Sequence, residues 1–149
     1  MTCVERYCTS ILNANHRINL ISRRGDQPIE VTRQFLISVA ALSVIPDGHH
    51  QWWLDIGSGG GFPAIPIAIF RPNIHFVLAE SVAKKAYFLE RTVEELGLHN
   101  ISVVHRRVSP EHHELHPESG KFNWLSIKAV TDWDESLRWG CSFLNPGGF

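Results

Sequence analysis

Leu54-Asp55-Ile56-Gly57-Ser58-Gly59-Gly60-Gly61-Phe62-Pro63 is the stretch on which the fold turns. A short apolar run, Gln51–Ile56, leads into it and a helix-length apolar segment, Ala64–Phe70, leads out. In a strand-to-helix turn of this kind, glycine permits a tight reversal and lets a ligand approach the backbone closely. The glycines fall at Gly57, Gly59 and Gly61, a G-x-G-x-G spacing, and Phe62 occupies the place where the dinucleotide fingerprint has its third glycine. That spacing weighs against a nicotinamide-dinucleotide domain. Asp55 opens the loop and Glu80 closes the next apolar run. An adenosine-methionine ligand requires two acids so placed, one near its ammonium end and one on the ribose hydroxyls, and neither task involves a pyrophosphate. A glycine-rich turn with no ligand is the plainer alternative, and the paired acids outweigh it.

Outward from the loop, short apolar runs alternate with helical segments. Strands are expected at Gln51–Ile56, 75–80, Ile101–His105 and 122–128, with helices at Ala64–Phe70, 84–96 and Trp133–Phe143 and a loop with one helical turn at 110–115. Such alternation predicts an α/β domain with a parallel sheet. Before it, Ile11, Leu12, Ile18 and Leu20 suggest an amphipathic helix, followed by a link through Gly25 and Pro28. A second helix is expected over 29–45, with Val31, Phe35, Val39 and Leu42 on one face and Pro46-Asp47-Gly48 as its stop. The chain thus divides into an amino-terminal helical segment, 1–48, and a ligand-binding core, 49–149. Its last residues, Leu144-Asn145-Pro146-Gly147-Gly148-Phe149, read as a turn into a fifth strand that does not follow. The expectation is a chain cut short after its fourth strand, whose open edge offers Trp124, Leu125 and Ile127 for self-association.

The 149 residues are 44% hydrophobic and 19% charged, the composition of one globular domain. A net charge of -1 rules out a global basic field, so contact with nucleic acid must use a local patch. Cys3, Cys8 and Cys141 are odd in number and lack C-x-x-C spacing, which indicates neither a disulfide framework nor a zinc site and fits a reducing compartment. The first ten residues hold no apolar signal region, and no run of about eighteen apolar residues occurs. A soluble cytoplasmic protein with no membrane partner is expected.

Several linked motifs resemble one family, the bacterial small-subunit (16S) ribosomal RNA guanine-N7 methyltransferases, also called glucose-inhibited division protein B. Asn19-Leu20-Ile21-Ser22 is similar to its N-L-T/I-S segment. Residues 32–38, Thr-Arg-Gln-Phe-Leu-Ile-Ser, sit where it has R-H-x-x-D-S. The stretch from Asp55 to Pro66 resembles its D-x-G-S/T-G-x-G-x-P-G-x-P loop, and Glu80-Ser81 with Lys84-Lys85 and Phe88-Leu89 resembles its D/E-S-x-x-K-[KR]-x-x-F-L block. Gly147-Gly148 falls in its P-G-G turn. The resemblance implies a Rossmann-like class I fold using S-adenosyl-L-methionine and 16S ribosomal RNA or the small ribosomal subunit as partner. It implies cofactor contacts at Gly57 and Phe62 in the loop, at Val108 and Ser109 after the third strand and at Lys128 after the fourth, with Glu80 on the ribose. Asp55, Gly59 and Gly61 complete that candidate set. Four positions depart from the pattern: Lys128 stands for an arginine, Ser109 for a glutamate, Gln34 for a histidine and Ile37 for an aspartate. Lysine lacks the planar fork of arginine.

The chemistry so implied needs no conspicuous catalytic residue. Guanine N7 carries an exposed lone pair, so transfer to it rests on proximity and electrostatic preorganisation. Methylation of an exocyclic amine would bring a D/N-P-P-Y-like motif where this chain has Ser126-Ile127-Lys128-Ala129, and cytosine C5 chemistry would need a positioned cysteine, whereas Cys141 lies within a predicted helix. Candidate RNA contacts are Arg17, Arg23, Arg24 and Arg33, with Arg106 and Arg107 past the third strand. His105, His112, His113 and His116 lack a carboxylate or cysteine at firm ligand spacing and read as a polar loop, not a metal site. Trp52, Trp53 and Trp124 fall on predicted strands and read as packing residues. The alternative to an active transferase is a truncated, non-catalytic homologue that binds ligand or partner only.

Overall fold

A computed structural model describes residues 1–22, 27–46, 48, 51–111, 115, 121–128 and 132–149. Chain order is α1 (Cys3–Ile18), α2 (Gln27–Ala40), a 3-10 helix (Ala41–Ser43), β1 (Gln51–Ile56), α3 (Ala64–Phe70), β2 (Ile74–Glu80), α4 (Ala83–Leu96), β3 (Ile101–His105), β4 (Trp124–Ile127) and α5 (Trp133–Phe143). The four strands form one sheet in the order β3-β2-β1-β4, and every pairing is parallel.

Both faces of the central strands are covered, so side chains alternate between two apolar layers. Trp53, Phe76 and Leu78 face a cluster that includes Ile65 and Ile67 of α3, Leu89 of α4, Tyr7 and Ile11 of α1 and Val31 of α2. Leu54, Ile56, Val77 and Ala79 face the other layer, closed by Trp139 and Phe143 of α5. Three of the tryptophans act in packing: Trp53 stacks on Trp124 at 5.5 Å and on Phe76 at 5.6 Å, and Trp52 stacks on His75 at 4.9 Å.

Local chemistry sets the helix ends. Thr2 and Glu5 form a reciprocal capping box that starts α1. Asn19, with φ 50°, ends it in the left-handed conformation. The buried Asn15 side chain then accepts from both Leu20 N (2.7 Å) and Ile21 N (2.9 Å), fixing the link that follows. The expected second helix begins two residues earlier than read, because Pro28 in a first turn forfeits no hydrogen bond. It ends as α-helix at Ala40 and tightens into the 3-10 turn instead of running to Ile45.

The carboxy-terminal reading needs correction in two places. The fourth strand is shorter than 122–128: Asn123 turns its side chain back to accept from Trp52 N at 2.9 Å, and Phe122 bridges to Leu144. Nor is the β4 edge fully open. The tail folds along it, with Asn145 N donating to Phe122 O, Phe149 N to Asn123 O and Leu125 N to Phe149 O at 2.8–2.9 Å. Phe149 stacks on Trp124 at 5.2 Å.

Candidate functional site

Strand order makes the site. Chain connections run outward in opposite directions from β1, to β2 on one side and β4 on the other, and the crevice above such a switch point is where open α/β sheets take ligands. A cavity of about 380 Å³ lies there, lined from the carboxyl ends of all four strands: Ile56–Gly60 after β1, 79–82 after β2, 106–108 after β3 and Lys128 after β4. Leu20, placed by the Asn15 side chain, and Lys85 of α4 complete its wall.

The glycine loop is braced internally. Gly57 N donates to Ala79 O at 2.9 Å and Gly61 N to Ser58 O at 2.7 Å. Gly59, with φ 55°, turns its N–H onto Glu80 Oε2 at 2.8 Å, and Glu80 Oε1 accepts from Val82 N at 2.8 Å. A carboxylate oxygen has two acceptor sites, so each Glu80 oxygen retains one for a ligand hydroxyl. Gly61 serves packing: at φ 94°, a Cβ there would lie 2.5 Å from Ile65 Cδ1.

Beneath the loop, Asp55 is completely buried. Its Oδ1 accepts from Ser126 Oγ at 2.5 Å, and its Oδ2 has no hydrogen-bond partner among the described residues. Burial pushes its carboxyl up to about 6, partly offset by the Ser126 hydroxyl and the Lys128 charge. Burial pulls the Lys128 ammonium down, against the attraction of Asp55 and Glu30. Lys128 Nζ sits 5.8 Å from the Phe62 ring centroid and donates to Gln34 Oε1 at 3.2 Å. Gln34 Nε2 donates in turn to Glu30 Oε1 at 2.9 Å. Glu30 also accepts from Arg33, and these hydrogen bonds, Arg33 first, hold its carboxyl down to about 2. Two positions that depart from the family pattern, Gln34 and Lys128, are therefore in contact.

Of the candidate cofactor residues, Gly57, Gly59, Glu80, Val108 and Lys128 line the cavity. Asp55 lies under it, and Gly61 and Phe62 are buried behind it, Phe62 with its ring edge-to-face on Tyr7 at 5.3 Å. Ser109 is outside the lining, its hydroxyl donating to the Glu111 carboxylate. Among the RNA candidates, Arg17 borders a separate groove between α1 and α4, and Arg33 is paired with Glu30 on α2. Arg23, Arg24, His112, His113 and His116 lie outside the described residues. Arg106 and Arg107 line the cavity itself. Sequence reading passed over Leu20, Ser58, Ser81, Val82 and Lys85. Each lies within a quoted motif, but only folding brings them to one wall.

The family model for rRNA small subunit methyltransferase G (GidB) matches residues 1–149. The chain belongs to this family. A ribosomal RNA small subunit methyltransferase G from Pasteurella multocida is 36% identical over 125 residues, covering 83% of this chain and 57% of the relative. The one from Mycolicibacterium smegmatis is 42% identical over 124 residues, covering 81% and 51% respectively. The chain thus spans between about half and two thirds of the length of the curated relatives it matches. Among solved structures, a SAM-dependent methyltransferase from Geobacter sulfurreducens in complex with S-adenosyl-L-homocysteine superposes with a TM-score of 0.62 at 18% identity, over 95% of this chain and 52% of that one. That likeness is one of fold: the Rossmann-like class I methyltransferase architecture, here with four parallel strands and preceding helices. No helix among the described residues is long and apolar enough to cross a membrane.

Proposed function

We propose that this member of the rRNA small subunit methyltransferase G family binds S-adenosyl-L-methionine in the cavity above β1 and β4. Its methyl group goes to N7 of a guanine in 16S ribosomal RNA, in the cytoplasm. The observation that carries this reading is Glu80, whose carboxylate is clamped by Gly59 N and Val82 N at the cavity floor with acceptor capacity left over. The ribose hydroxyls of the cofactor fit that capacity. Asp55 Oδ2, buried and unpartnered among the described residues, fits a ligand that brings positive charge near the loop. When bound, the cofactor supplies an electrophilic methyl group.

The chain's own part is placement. Guanine N7 presents a lone pair that needs no deprotonation, so the site requires no general base. Gly57 and Gly59 remove side chains from the cavity wall. Lys128, held by Gln34 at the lip, is a donor suited to the O6 acceptor beside N7. Calorimetric titration with S-adenosylhomocysteine tests the cofactor half of the proposal. Wild type binds, and Glu80→Ala loses on the order of 1.5 to 3 kcal/mol with its charge-assisted hydrogen bonds. Unchanged affinity in Glu80→Ala would place the ligand elsewhere. The transfer half is tested by detecting 7-methylguanosine in digests of small-subunit ribosomal RNA treated with the chain and cofactor. A second reading, binding without transfer, is favoured by the departures from the family's pattern at Gln34, Ile37, Ser109 and Lys128. Cofactor binding with no methylated product would select it.

A further inference from the structure

We propose that the groove between α1 and α4 holds the single-stranded RNA flanking the target nucleotide, with Tyr87 stacking on an unpaired base and Arg17 and Lys84 on the adjoining phosphates. The inference rests on the RNA-directed reading above and names the surface that reading lacks.

The helices are antiparallel neighbours: Arg6 Nη1 donates to Glu95 O at 3.0 Å, tying the start of α1 to the end of α4. Eleven residues further along each helix, about 16 Å at 1.5 Å per residue, come Arg17 and Lys84. Both line a groove of about 480 Å³. That end of the groove adjoins the cofactor cavity, because Leu20, just past α1, and Lys85, next to Lys84, are cavity-lining residues. A strand lying in the groove therefore leads to the site of transfer.

Charge is segregated along this path. The groove presents Arg17, Lys84 and Arg91 against Glu95, and the cavity presents Lys85, Arg106, Arg107 and Lys128 against Glu80. Half of the chain's 14 lysines and arginines and only two of its 15 acids line the two spaces, in a protein whose net charge is -1. Within the groove, Arg91 is paired with Glu94 at 2.6 Å and Glu95 at 3.7 Å, while Arg17 and Lys84 form no ion pair with a described residue. Tyr87 lies three residues beyond Lys84 and is 64% exposed. A large ring left in solvent about one turn from Lys84, in a groove that also presents Arg17, matches the way single strands are held, bases on aromatic faces and phosphates on Lys and Arg. An acidic protein surface would use the cations without needing the ring.

A short fluorescein-labelled single-stranded RNA containing guanines, followed by fluorescence anisotropy, reads the difference. Tyr87→Ala weakens binding by at least about fivefold and Tyr87→Phe leaves it unchanged, as stacking requires. Arg17→Ala and Lys84→Ala each flatten the slope of log affinity against log salt by about 0.7. All four variants retain wild-type affinity for S-adenosylhomocysteine, since none of these residues lines that cavity. RNA binding by wild type with affinity and salt slope unchanged in every variant overturns the groove and leaves the RNA-directed reading standing. Flattened slopes with no effect of Tyr87→Ala overturn the stacking and point to a general polyanion surface. Wild type that takes S-adenosylhomocysteine but no RNA overturns both.

Discussion

Asp55→Asn should make the ligand-free protein more stable and a poorer cofactor binder. Raising a carboxyl from its ordinary 3.8 to about 6 on folding corresponds to about 3 kcal/mol against the folded anion above the higher value. Asparagine of the same shape can still accept from Ser126, and it removes that penalty. The opposing attraction of Lys128 is already contained in that raised value, so the expected gain is about 3 kcal/mol. Between 3.8 and about 6 the folded state holds a proton that the unfolded chain has released. Wild-type stability therefore declines through this window as pH rises, and the variant's advantage grows with it. Urea denaturation of both proteins at about pH 8 and about pH 5 measures the effect, and the advantage at the lower pH should be roughly half that at the higher. Equal stabilities at the higher pH, or an advantage that does not shrink towards the lower, would refute the assignment of a strained buried carboxylate. Weaker S-adenosylhomocysteine binding in the same variant would mark the stored free energy as serving the ligand.

Gly61→Ala places a methyl 2.5 Å from Ile65 Cδ1 at a φ of 94°, and should lower stability by about 1 to 3 kcal/mol in the same urea titrations. An unchanged midpoint would mean that the loop relaxes without cost. Lys128→Arg keeps a cation over Phe62 and within reach of Gln34, so methyl transfer to ribosomal RNA should be unchanged or increased severalfold. A loss of transfer on restoring arginine would show that Gln34 and Lys128 have changed together into a pairing that arginine disrupts.

Local pattern fixed much of this molecule in advance. The glycine loop, the bounds of Gln51–Ile56, Ala64–Phe70, Ile101–His105 and Trp133–Phe143, and the pairing of Asp55 with Glu80 as candidate ligand acids are legible because hydrophobic period, turn residues and motif spacing act within a few residues. Motif order carries the family for the same reason. What the tertiary structure decided depends on residues far apart in the chain. Asp55 reads as the acid that opens the glycine loop, but its raised pKa follows from burial, tempered by the hydroxyl of Ser126, 71 residues away. Gln34 and Lys128 read as separate departures from a pattern, and a contact across 94 residues makes them one polar link at the cavity lip. The fourth strand was shortened and its edge partly covered by a tail that local pattern read only as a turn. Propensity and periodicity are set by near neighbours, whereas desolvation, charge pairing and edge pairing depend on whichever distant groups the sheet order brings alongside.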